Sequence, residues 1–162
     1  MWYLTFLGNH EDNDMNRHFS FYYEVIGKYR EKTYQLFQQL FQALPLACVL
    51  NHKVLVLHGG VGFPSDSTLS DLEKIEKQMH VPMEGVLRDV LWSDPKPSDG
   101  IEYNEARRCS HLFGPYVTEK FLQDNGLELL IRSHQVKTEG YSVSSLHQIM
   151  QDFITMMEHL LD

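Results

Sequence analysis

Short apolar runs alternate with segments whose apolar positions recur every three to four residues, the rhythm of a chain that alternates strands and helices. The first run, "WYLTFL", is aromatic and β-prone and stops at Gly8, as a buried strand does when it hands a loop to one edge of a sheet. From Asn16 to about Leu44 the spacing turns helical, through Phe19, Tyr22, Tyr23 and Ile26, then Tyr34, Phe37, Leu40, Phe41 and Leu44. With Gly27 as a break and Pro45 as a stop, two helices are expected there. "PLACVL" and "KVLVLHGG" read as two short strands joined by a tight turn at Asn51 and His52. Leu69, Leu72, Ile75 and Met79 predict a helix with an acidic first turn, and "VLRDVLWSDPKPSDG" a short amphipathic piece running into a Pro- and Gly-rich loop.

The next helix, "PYVTEKFLQDNG", opens on Pro115 and closes before Gly126, and it should pack through Val117, Phe121 and Leu122. "LELLIRSH" follows as a third buried strand. From Ser144 onward the alternation stops. Leu146, Ile149, Met150, Phe153, Ile154, Met157, Leu160 and Leu161 form one apolar stripe, with Ser145 and Gln148 spaced for a capping box, which predicts a C-terminal amphipathic helix. Such a helix either covers exposed core of its own domain or docks on a protein partner. The division expected is a domain over 1–143 and a helical tail over 144–162.

At 162 residues, 43% hydrophobic and 12% aromatic, the chain can bury a sizeable core in a single domain. A net charge of -8 argues against a broad nucleic-acid footprint or an anionic membrane surface, so any anion must be held by a local site. Cys48 and Cys109 lack disulfide or zinc-knuckle spacing, which suits a reducing compartment. No segment has the apolar length to cross a bilayer, and "MWYLTFLG" lacks a basic start, so a signal peptide is not expected and the cytosol or nucleus is.

Three strand ends would then bring Asn9 with His10, His58, and His134 to one sheet edge, the usual place for a site in an α/β fold. Imidazole nitrogens and an amide oxygen suit manganese, iron or zinc better than calcium. His18, His52, His80, His111, His147 and His159 read as ordinary core or surface residues.

"GNHE" (Gly8 to Glu11), "LPLA" (Leu44 to Ala47), "HGG" (His58 to Gly60), "LWSDP" (Leu91 to Pro95), "FGPYVTEKFL" (Phe113 to Leu122) and "IRSH" (Ile131 to His134) stand in the order and spacing found in serine/threonine phosphoprotein phosphatases of the metallophosphoesterase family. The chain resembles that family from roughly Leu4 to Tyr141, and within it is most like the subfamily that also carries tetratricopeptide repeats, though no such repeat is present here. The resemblance implies an α/β fold, an incomplete metallophosphoesterase-type β-sandwich flanked by helices. It also implies metal-dependent hydrolysis of phosphoserine and phosphothreonine in protein substrates by a metal-activated water, with two adjacent divalent ions, manganese above all, with iron or zinc as alternatives. By the same resemblance Asn9, His58 and His134 match the second metal's ligands, with Asn9 also against the phosphate. His10 matches the acid that protonates the leaving alkoxide. Arg107, six residues before Phe113, matches a catalytic arginine that grips phosphate oxygens; the family's following glycine is Arg108 here, so Arg108 takes that role if the loop shifts by one.

Departures from the family pattern matter as well. The Asp-x-His and "GDxxDRG" motifs that supply the first metal's ligands and the bridging carboxylate are missing, as is the later "SAPNY" motif, and Leu7 replaces the arginine before "GNHE". Asp12 and Asp14 lie on the wrong side of the motif to bridge two metals. The chain thus reads as truncated at both ends, and a catalytically inactive relative that binds substrates or partners is the alternative function. Lost opening strands would also expose a sheet edge and face that the amphipathic tail is expected to cover.

Overall fold

The computed structural model describes residues 5–64, 67–77, 80–144 and 149–151. Three helices come first: α1 (Asn13–His18), α2 (Phe21–Lys28) and α3 (Glu31–Ala43). There are three rather than two because Ser20, at φ 71°, turns the chain through the left-handed region between α1 and α2. Gly27 does not break α2; it sits one residue from the end, where a glycine costs little, and the chain turns at Tyr29 instead. The helix α3 buries Tyr34 and Gln38 toward α1 and ends before Pro45.

Strands β1 (Ala47–Leu50) and β2 (Val54–Leu57) form the expected antiparallel hairpin, with Asn51 and His52 at φ 50° and 58°, the paired positive angles that match the strands' own twist. The helix α4 (Leu69–Glu73) is shorter than its apolar spacing predicts. Thr68 caps it, its N–H and hydroxyl donating to Asp71 at 2.9 and 2.7 Å, while Ile75 leaves the helix to pack against both hydrophobic clusters. The helix α5 (Val86–Trp92) is buried from Leu87 onward rather than amphipathic. Its two charges are met locally: Arg88 donates to the carbonyls of Pro82 and Val81, and Asp89 accepts from Ser110 and His111.

Beyond it lie β3 (Asp94–Pro95), β4 (Ile101–Tyr103), β5 (His111–Phe113), α6 (Pro115–Asp124), β6 (Leu129–Arg132), β7 (Ser142–Ser144) and β8 (Ile149–Gln151). Among the described residues they build two sheets, one ordered β1-β2-β6-β8-β7 and one ordered β3-β5-β4. In the larger sheet β6 runs parallel to both β2 and β8. Leu55, Leu130, Phe113, Phe63, Phe121 and Leu122 fill a core shared by both sheets and α6, each such side chain contributing roughly 1.5–3 kcal/mol. This is the mixed α/β arrangement of helices around partial sheets that the family resemblance implies. No helix among the described residues is long and apolar enough to cross a membrane.

Two expected elements differ. The described part of the first apolar run, Thr5 to Gly8, joins no ladder; Leu7 N–H donates to the carbonyl of Pro45 at 2.9 Å, and the proline has no N–H to return. The amphipathic helix expected from Ser144 is not what residues 149–151 form, since they are strand β8, paired with β6 and β7. The far edge of β6 offers unpaired backbone groups, and satisfying them outweighs a helical rhythm in the side chains. The rest of that stripe, 145–148 and 152–162, lies outside the described residues.

Candidate functional site

Asn9, His10 and Glu11 make a single tight turn, closed by Gly8 N–H donating to Glu11 Oε2 at 2.7 Å. Asn9 is buried and His10 exposed. Behind the turn, Gln38 of α3 donates to Asn16 Oδ1 at 2.7 Å, and Asn16 Nδ2 donates to the carbonyl of His10. Tyr34 donates to Asn13 Oδ1 at 2.6 Å, so α3 braces α1 and the turn through two buried polar contacts. Phe19 stacks on the His10 ring with centroids 4.4 Å apart.

The other two histidines come from the parallel pair β2 and β6. Val56 lies opposite Ile131, and the register continues past the strand ends, where Ser133 N–H donates to the carbonyl of His58 at 2.9 Å. His134 then turns back toward His58 at φ 78°, a left-handed angle that a non-glycine residue holds only where its surroundings impose it. The result brings three polar atoms together: His58 Nε2 lies 2.8 Å from Asn9 Oδ1 and 3.2 Å from His134 Nδ1.

Burial lowers the pKa of both imidazoles to about 3; His134 and Arg132 add to the effect at His58, and Arg107 and Arg132 at His134. Both rings are therefore neutral near pH 7, the form that ligates metals. Two neutral imidazoles and an amide oxygen at these spacings fit ligands sharing one ion through bonds of about 2.1 Å.

The phosphate arginine of the sequence reading stands next to this group. Arg107 donates from Nε to Asp94 Oδ2 at 2.9 Å and from Nη2 to the carbonyl of His134 at 3.0 Å, while its own N–H is held by Asn104. Arg108 is exposed at φ 56°, the conformation that suits the glycine expected at this position, and has no side-chain tie to the site among the described residues. The loop is thus in the register that brings Arg107 inward. Asp94 also accepts from Arg132 at 2.9 Å, so one carboxylate serves two guanidiniums and leaves one positive charge beside the histidines.

Sequence reasoning assigned no role to Asp94, Arg132, Asn104, Ser133 or Asn16. A signal existed for Arg132: an arginine ending the apolar run "LLIR" has to find a buried partner. A separate group also escaped it: Asp12, Asp14 and His80 bring one ligand atom each within 4.8 Å of one another, with Asp12 buried and the other two exposed.

A model of the calcineurin-like phosphoesterase family matches residues 2–138. The chain is 46% identical over 137 residues to serine/threonine-protein phosphatase 5 of Homo sapiens, covering 85% of this chain and 27% of that protein. It is 41% identical over 136 residues to serine/threonine-protein phosphatase T of Trypanosoma brucei brucei, covering 84% of this chain and 29% of that protein. Among solved structures, a protein serine/threonine phosphatase from Saccharomyces cerevisiae aligns with a TM-score of 0.82 at 36% identity, over 90% of this chain and 45% of the other. The chain therefore spans under a third of the length of these curated relatives.

Proposed function

The chain belongs to the calcineurin-like phosphoesterase family, and we propose that it serves metal-dependent hydrolysis of phosphoserine and phosphothreonine in protein substrates. The grouping of Asn9 Oδ1 and His134 Nδ1 around His58 Nε2 carries this reading, because three atoms able to donate electron pairs at ligand–ligand spacing suit a cation. Manganese, or iron or zinc on the same donors, would supply Lewis acidity and a bound water of lowered pKa.

The chain's own residues supply the rest. Arg107 keeps N–H groups free of its ties to Asp94 and His134, and these bind phosphate oxygens. Asn9 orients the phosphate from the ligand side. His10, on the exposed lip of the same turn, protonates the leaving alkoxide. All three ligands are neutral, and among the described residues no Asp or Glu joins His58 and His134 in a cluster. That absence favours a second reading, in which the chain holds phosphorylated proteins without turning them over.

Hydrolysis of a phosphopeptide in manganese by the purified chain, beside His10→Asn and His58→Ala variants, separates the two. Turnover by the parent, lost in both variants, supports the enzyme; equal rates in all three preparations overturn it. Phosphopeptide binding without turnover supports the binding module.

A further inference from the structure

The ring of His58 has two polar ends, and only one has a role so far. Nε2 faces Asn9 and His134, while Nδ1 lies 3.0 Å from the hydroxyl of Ser133, which is its hydrogen-bond partner among the described residues. The same hydroxyl lies 3.4 Å from the carbonyl of His58. Gly8 leaves the room for this, since a Cβ there would sit 3.1 Å from Nδ1. We propose that Ser133 is a positioning residue that selects the tautomer of His58. This rests on the ligand reading above.

A hydroxyl is both donor and acceptor, and its proton can rotate. With the proton of His58 on Nε2, that N–H donates to Asn9 and Ser133 donates to Nδ1. For Nε2 to offer its lone pair to a cation, the ring proton must sit on Nδ1 instead. Ser133 then accepts from Nδ1–H and turns its own proton to the carbonyl of His58. One proton leaves Nε2 and one arrives at Nδ1, so the ring's charge is unchanged. Hydrogen bonds to the distal ring nitrogen set the tautomer of ligating histidines in general, and losing such a partner weakens metal affinity about 10–100-fold. Alanine supplies neither role, whereas threonine supplies both.

Long-range nitrogen–proton spectra of the full chain, without metal and with zinc, read the tautomer directly, and titration against a competing chelator reads the affinity. The expected result is that zinc moves the parent's His58 ring to the Nδ1–H form, that Ser133→Ala weakens zinc binding by about tenfold, and that Ser133→Thr restores it. Zinc binding of equal strength in the parent and Ser133→Ala overturns the role of Ser133 and leaves the ligand reading standing. If the parent binds no zinc, both fall. Should the alanine variant not fold, the parent decides alone: a zinc-loaded ring that keeps its proton on Nε2 overturns the proposal.

Discussion

Arg132, whose side chain has no solvent exposure, donates to Asp94 Oδ1 at 2.9 Å, and the same guanidinium reaches the carbonyls of Ser93 and Gly59. This one side chain ties together the loop after β2, the end of α5 and the turn that carries His134.

Removing Asp94 leaves that guanidinium buried without a counter-charge. Asp94→Ala is expected to cost about 3–5 kcal/mol of stability, read as a lower urea midpoint. Replacing both partners, Asp94→Leu with Arg132→Met, should cost less than the single change, because the penalty lies in the orphaned charge rather than in the lost pair.

Arg108 occupies a left-handed position that its side chain disfavours. Arg108→Gly should stabilise the fold by about 1 kcal/mol, visible as a rise in melting temperature. Arg107→Gly, at a position without a positive φ, should show no such gain.

The metal-free chain should lose stability in acid through its two site histidines. Both have folded pKa values near 3, against 6.5 for a free imidazole. As the pH falls below 6.5 the unfolded chain takes up protons first, so the contribution is complete above 6.5 and is lost as the pH drops toward 3. Each ring accounts for about 1.4 kcal/mol per pH unit in that window. Urea unfolding in chelator at a series of pH values should show this slope, and His134→Gln should reduce it.

Gly59 sits so near α5 that an added Cβ would lie 2.7 Å from backbone atoms of Val90, Leu91 and Trp92. Gly59→Ala is expected to cost about 1–3 kcal/mol and to weaken zinc binding by displacing the adjacent His58. Gly27 has nothing within 4 Å of such a Cβ and lies at the end of its helix, so Gly27→Ala should change stability by less than about 0.5 kcal/mol.

Much of the arrangement was legible before the fold was known. Asn51 and His52 between two apolar runs specified the hairpin, and the histidines after "VLVL" and "LLIR" marked strand ends that meet in space. What escaped depends on contacts made across the chain. Nothing local to Asp94 says that it will serve two arginines, and nothing near Ser133 says that its neighbour across the parallel register is His58. That Arg107 reaches Asp94 and the carbonyl of His134 likewise depends on contacts made across the chain. At residues 149–151 the sequence misleads, because a stripe with helical spacing lies beside a strand with an open edge and pairs with it.

Asn9, His58 and His134 come from segments separated by 49 and 76 positions, and the strands that align the two histidines pair across 75. No short stretch can preform this pocket, so its loops must close before any ion finds three donors together. A cation that binds there is expected to arrive after the rate-limiting step and to leave the refolding rate nearly unchanged. Its effect falls on the reverse reaction, where it acts as a brake on unfolding rather than as a nucleus for folding.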